Sequence, residues 1–226
     1  MKKTGILLFI ILTALFLNCS KNTGSPSATY IRFLQAIPNT IINAGLNDNI
    51  MLASSVSYDS LTPYITLDAG AVRIQVSNEA SGTNLIDAIF TISPGNYYTF
   101  IVADSVNKIK PTLLQDSPKL TDSTVNIRML HLSDITGRAD LANAADSVLS
   151  SGRSFNDQYI SSSSARYVIL KPGTFTLHLN KNFTDTLITP VPGFTYIAGK
   201  SYTLVLHNVQ IAGGIDTAGV SVFTDN

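Results

Sequence analysis

The sequence predicts an all-β protein: two tandem antiparallel β-sandwiches of immunoglobulin-like size behind an N-terminal signal segment. Three observations predict it. Apolar and polar residues alternate in Val72-Arg73-Ile74-Gln75-Val76 and in Phe175-Thr176-Leu177-His178-Leu179, the period of strands with one buried face. The composition favours strands: Glu79 is the sole Glu, Lys is scarce, and Ser, Thr, Val, Ile and Tyr abound. The chain also matches itself in three blocks taken in the same order, which marks two related units.

The elements follow in chain order. Lys2 and Lys3 precede an apolar run from Ile6 to Leu17, the layout of a secretory signal peptide over residues 1–18. The run holds roughly a dozen apolar residues, against the ~20 needed to span a bilayer. It ends at Cys19, the only cysteine of the chain. Leu15-Phe16-Leu17-Asn18-Cys19 resembles the lipobox of bacterial lipoproteins, with Asn18 departing from the usual small residue. The resemblance implies cleavage before Cys19 and acyl chains on it. Each buried methylene contributes about 0.8 kcal/mol, so several chains would hold the protein at a membrane. Residues 19–28 then form a lipidated cysteine and flexible tether. In Bacteroidota lipoproteins an acidic run after the cysteine marks export to the surface; Lys21 and Asn22 stand there, which favours the periplasmic side of the outer membrane.

The first sandwich covers residues 29–117 and the second 122–226. Tyr30-Ile31-Arg32-Phe33-Leu34-Gln35 matches Asn126-Ile127-Arg128-Met129-Leu130-His131 at an offset of 96 residues. The block at Tyr64-Ile65-Thr66-Leu67 matches Tyr167-Val168-Ile169-Leu170 at 103, and Tyr98-Thr99-Phe100-Ile101 matches Tyr202-Thr203-Leu204-Val205 at 104. Turns fall at Pro94-Gly95-Asn96, Pro172-Gly173 and Ala198-Gly199-Lys200. Residues 139–149 contain good helix formers, but their counterpart at 42–52 reads as a hairpin turning at Asn47-Asp48-Asn49, so a hairpin is expected in both. Ser161-Ser162-Ser163-Ser164 reads as a flexible loop.

This pattern resembles the bacterial domain-of-unknown-function 4397 family, common in Bacteroidota lipoproteins. The opening strand Tyr30 to Pro38 and the block from Tyr64 to Val76 carry the resemblance. The family's usual Ser-Pro-Asp and Val-Asp-Val are replaced by Ile37-Pro38-Asn39 and Ile41-Ile42-Asn43, and the second unit departs further. The resemblance implies a sandwich fold and no established activity. Exported Bacteroidota proteins are O-glycosylated at Asp followed by Ser or Thr and a small or aliphatic residue. Six such triplets offer Ser60, Ser105, Ser123, Ser147, Thr186 and Thr217 as acceptors, where composition alone gives roughly one or two. Most are expected in loops; Asp-Ser and Asp-Thr are also good turn formers.

Chemistry-bearing motifs are few. With 15 basic and 15 acidic residues, no charge excess points to nucleic acid. No nucleophile elbow, phosphate loop or His-Glu-x-x-His helix occurs, and no cofactor is expected. His131, His178 and His207 lack ligand spacing and read as surface histidines, not a metal site. The Asp-rich stretches at 47–49 and 134–140 lack the spacing of a calcium loop. Tyr97, Tyr98, Tyr159 and Tyr202 read as core or half-core residues before they read as a sugar platform. The expected function is a non-catalytic envelope lipoprotein acting as a binding, adhesion or accessory module, with an envelope protein or glycan as ligand. The alternative is an envelope carbohydrate-active hydrolase using a pair of Asp carboxylates. A third reading is strand exchange through Ser221-Val222-Phe223, whose plainer role is to close the second sandwich.

Overall fold

A computed structural model describes residues 28–48, 50–105, 108–117, 123–210 and 216–225. Cys19, the signal segment, most of the tether and Asn49 lie outside them. Nineteen strands dominate, so the all-β expectation holds among the described residues.

In the first half, β1 (Thr29–Ala36), β4 (Ser60–Leu61), β5 (Ile65–Leu67), β8 (Tyr97–Ser105) and β9 (Lys108–Asp116) form one sheet, with β4 and β5 sharing one edge of β1. Strand β1 runs parallel to β8 over seven register pairs and antiparallel to its other partners. The facing sheet has the order β3-β2-β6-β7, from β2 (Ile42–Leu46), β3 (Ile50–Val56), β6 (Gly70–Asn78) and β7 (Asn84–Ile92). Alternation does the sorting. Ile31, Phe33, Val72, Ile74, Val76, Phe100 and Val102 point into a core between the sheets. Each such side chain contributes about 1.5–3 kcal/mol relative to exposure. The hairpin between β2 and β3 turns as expected, with Asn47 and Asp48 in the left-handed region at φ 48° and 63°, where short polar residues are tolerated.

The second half repeats this plan. Its strands are β10 (Val125–His131), β11 (Ala139–Asn143), β12 (Val148–Arg153), β13 (Val168–Leu170), β14 (Gly173–Phe175), β15 (Leu177–Lys181), β16 (Leu187–Pro190), β17 (Phe194–Tyr196), β18 (Ser201–Gln210) and β19 (Asp216–Thr224). The sheet β13-β10-β18-β19 reproduces β5-β1-β8-β9, and β12-β11-β15-β16 reproduces β3-β2-β6-β7. The stretch 139–149 is a hairpin despite its helix formers. Two differences matter. The long β6 has become β14 and β15, interrupted at Thr176, with β14 pairing β17 in a separate two-stranded ribbon. The place of β4 is taken by a longer connection holding the short helix α1 (Asp157–Ile160) and a 3-10 turn at Ser162–Ala165. That longer connection is why the repeat offset jumps from 96 to 103, and it replaces the loop expected at 161–164.

The two halves meet face to face. Leu34, Ala36, Ile101, Ala103 and Leu114 pack against Leu130, Leu132, Ala165 and Val205 in a third buried cluster. The central sheets are therefore covered on both faces. This corrects the expectation that His131 faces solvent: it and its first-half counterpart Gln35 are both 0% exposed. His207 is also buried, and of the three histidines only His178 keeps partial exposure. Gln35 meets burial by donating to the carbonyls of Ile37 and Thr40 and accepting from the Ile37 N–H.

Candidate functional site

The seam between the halves holds the densest group of ionisable side chains. In the first half, Arg32 Nε donates to Thr99 Oγ1 (2.9 Å), Thr99 donates to Asp116 Oδ2 (2.6 Å), and the Tyr64 hydroxyl donates to the same oxygen (2.7 Å). In the second half, Arg128 Nε donates to Thr203 Oγ1 (2.8 Å), Thr203 donates to Asp225 (2.8 Å), and Tyr167 donates to Asp225 Oδ2 (2.9 Å). Each arginine also lies over its tyrosine ring, at 4.5 Å for Arg32 on Tyr64 and 4.9 Å for Arg128 on Tyr167. The charges then cross the seam. Arg32 Nη2 reaches Asp225 Oδ1 at 2.5 Å, and Arg128 Nη2 reaches Asp116 Oδ1 at 2.5 Å. Each half supplies the arginine that neutralises the other half's aspartate.

Burial works against the charge on Arg128, yet Asp116, Tyr167 and Asp225 together outweigh it and hold the guanidinium pKa above its ordinary value. Burial likewise pushes the Tyr64 and Tyr167 hydroxyls well above the usual phenol range, with the nearby aspartates adding to it for both and the arginines opposing it. The aspartate side chains have no exposed surface. A carboxylate pair for glycoside hydrolysis must face a substrate and a water, and these two face arginines.

A second cluster joins the halves at the opposite end of the strands. His207 Nε2 lies 3.1 Å from Ser221 Oγ and 3.3 Å from Asp59 Oδ2, and Ser221 donates to Asp59. The residue types are those of a hydrolytic triad, but the wiring is not. In a triad the carboxylate holds one ring nitrogen while the serine meets the other. Here carboxylate and hydroxyl share Nε2, Nδ1 faces the Asn208 carbonyl at 3.0 Å, and the serine proton goes to the carboxylate. Burial raises the Asp59 pKa, with Ser221 and His207 pulling the other way. The Tyr58 hydroxyl accepts the Asn208 N–H (3.1 Å), and burial lifts its pKa to about 12. This is a junction, and no sequence signal announced it, because the three residues are far apart in the chain.

Among the described residues, no group of three or more His, Cys, Asp or Glu could hold a metal ion. His131 pairs through Nε2 with the Gly137 carbonyl at 2.6 Å, and burial lowers its pKa. Asp140, in the other Asp-rich stretch, accepts from the Gly152 and Phe183 N–H groups and from Asn182. Burial opposes its ionisation, but those donors hold its pKa below the usual range. Asp48 is taken by Arg73 at 2.9 Å. Tyr98 and Tyr202 are core residues, Tyr159 is 48% exposed, and Tyr97 stacks on Tyr30 with centroids 4.3 Å apart.

The glycosylation candidates are scattered. Ser123, Ser147 and Thr186 are exposed outside strands. Ser60 opens β4, Ser105 closes β8 and Thr217 lies within β19, so these three depart from the loop expectation.

An open groove of about 350 Å³ on the second half is lined by the apolar Ala144, Ala145, Leu149, Leu170 and Phe175 together with Asn143, Lys171 and Thr176. It borders the point where the strand matching β6 is interrupted at Thr176. Leu149, Leu170 and Phe175 belong to the margin of the second core and reach solvent there.

No curated protein matches the chain. Among solved structures, it is similar to the crystal structure of CBMbc (family CBM26) from Eubacterium rectale Amy13K in complex with maltoheptaose. Identity is 10%, the match covers 87% of this chain and 96% of that one, and the TM-score of 0.27 carries neither fold nor ligand across. The family described as Domain of unknown function (DUF4397) matches residues 29–142, from the first residue of β1 through the crossing of the seam into β11. The chain belongs to the DUF4397 family.

Proposed function

We propose that the protein is a non-catalytic lipoprotein of the outer membrane, anchored through acyl chains on Cys19, with its periplasmic side favoured over the cell surface. In this reading two tandem immunoglobulin-like sandwiches act together as a binding, adhesion or accessory module toward an envelope protein or glycan. The observation that supports it best is where the charges go. The two inter-half clusters turn their carboxylates, arginines and histidine inward onto one another. Such wiring joins two sandwiches into one rigid support and leaves the exposed loops and edge strands for recognition. Glycans on exposed acceptors such as Ser123, Ser147 and Thr186 fit the same compartment.

The test is intact mass and detergent partitioning of protein taken from its native membrane, wild type beside Cys19→Ala. The expected result is an acyl-sized mass increment and detergent-phase partitioning, both lost in the variant. An unmodified, water-soluble wild type overturns the anchor.

A further inference from the structure

The groove beside Lys171 lies at a particular end of the molecule. Leu170 pairs with Val125, so Lys171 stands just beyond the first residue of β10. The first residues of β1 and β10 are at the same end, because Arg32 and Arg128, each fourth in its strand, reach the other half's aspartate across the seam. At the other end Asp59, bonded to Gln35 near the end of β1, meets His207, which follows the partner of the last residue of β10. Ala28, where the described chain starts, is fixed there by the Gly95 N–H on its carbonyl at 3.2 Å. Cys19 lies nine residues before Ala28, within about 30 Å even when fully extended. If Cys19 is anchored, this end therefore stays close to the bilayer.

Other groups at this end suit that surface. Ile169, paired with Asn126 near the start of β10, is 67% exposed. Ile197, two residues before the Gly199 whose N–H bonds Thr124, is 57% exposed. The stacked Tyr30 and Tyr97 present rings with polar tips, the residue type that settles at membrane interfaces. The groove opens onto the core-margin side chains Leu149, Leu170 and Phe175, with which a hydrocarbon chain mixes freely, beside Asn143 and Thr176. Lys171 is exposed and makes no ion pair among the described residues, so its ammonium can meet a phosphate. A volume of about 350 Å³ lies in the range of sites for small ligands.

We infer that this groove takes one acyl chain of an anionic phospholipid from the adjacent bilayer, with the headgroup phosphate held by Lys171. The inference rests on the anchored reading for the nearness of the membrane. Its test does not, because it uses the chain from Ser20 onward, which keeps every described residue and lacks both leader and Cys19. The probe is a fluorescent single-chain phosphatidylglycerol below its micellar concentration, titrated with protein. Saturable one-to-one binding is expected. Ala145→Glu, on an exposed turn at the groove, and Lys171→Glu should each weaken it about tenfold, equivalent to about 1.4 kcal/mol, with unchanged thermal unfolding. Absent or unsaturable binding, or binding indifferent to both substitutions, overturns the proposal. Loss of partitioning in Cys19→Ala reports on the anchor alone, so the two readings fail separately.

Discussion

The two halves of the chain share a skeleton and differ at its ends, and the location of each difference is informative. Arg32, Tyr64, Thr99 and Asp116 have direct counterparts in Arg128, Tyr167, Thr203 and Asp225, all of them in the seam. Outside this charged network the copies diverge, in part within the seam itself, where Leu61 of β4 and Ala165 of the helical connection pack in the same buried cluster. Tyr30 and Tyr97 become Asn126 and Ser201, the continuous β6 becomes the broken β14 and β15, and β4 becomes a helical connection. The duplicated unit keeps its crossing arginine–aspartate pairs while the Asp59–His207–Ser221 junction, which is not mirrored, and the outer ends have drifted. Each half has an open groove, of about 360 Å³ in the first and about 350 Å³ in the second, but the first is lined by Asn43, Gln75 and Ser77 beside Ala44 and Val76, and the second by Leu149, Leu170 and Phe175.

The largest expected effect comes from breaking the symmetry of the seam. Asp116→Ala leaves Arg128 buried without its carboxylate and should cost about 3–5 kcal/mol, the usual penalty for an uncompensated buried charge. Denaturant unfolding measures it, and a loss below about 1 kcal/mol would mean the crossing charges do not hold the halves together. Leu130→Ala, in the apolar part of the same seam, should cost about 2–5 kcal/mol through the cavity it leaves.

A subtler comparison pairs Gln35 with His131. Burial lowers the His131 pKa, so the unfolded chain takes up a proton near pH 6.5 while the folded protein resists it until lower pH. Stability should therefore fall as pH drops below about 6.5 and level off beneath the folded value. His131→Gln installs the first half's residue and should remove this share of the slope. Unfolding midpoints at pH 7.5 and 5 compare the two; an unchanged slope would clear His131 of any part in it.

The smallest effect is expected at the hairpin tip after β15. Phe183 is 86% exposed and held at φ 60°, where Asp140 accepts its N–H. The corresponding turn of the first half carries Ala80. Phe183→Asn relieves the left-handed strain and should stabilise by about 1 kcal/mol. A destabilised variant would show that the ring packs usefully where it is.

Much of this was readable in the sequence. Period-two alternation marked the core faces of β6 and β15, and the duplication correctly favoured a hairpin over a helix at 139–149. What was not readable was the second face of β1 and β10. Arg32, Gln35, Arg128 and His131 have the look of solvent-facing residues in an alternating strand, and nothing local distinguishes a polar residue facing water from one facing a partner aspartate. The seam appears only when the halves are docked. The break at Thr176 beside the groove was equally hidden, since it falls within a stretch that still alternates.

The parallel pairing of β1 with β8 sets how the protein answers a mechanical load. Tension arriving through the residues before Ala28 enters β1 at Thr29 and runs along the strand axis. The seven register pairs from Tyr30 to Ala36 then bear it together in shear, where a terminal hairpin would peel one bond at a time. A chain pulled from its N-terminus is in this way held by seven pairs that share the load, and the sandwich does not unravel one bond at a time from that end.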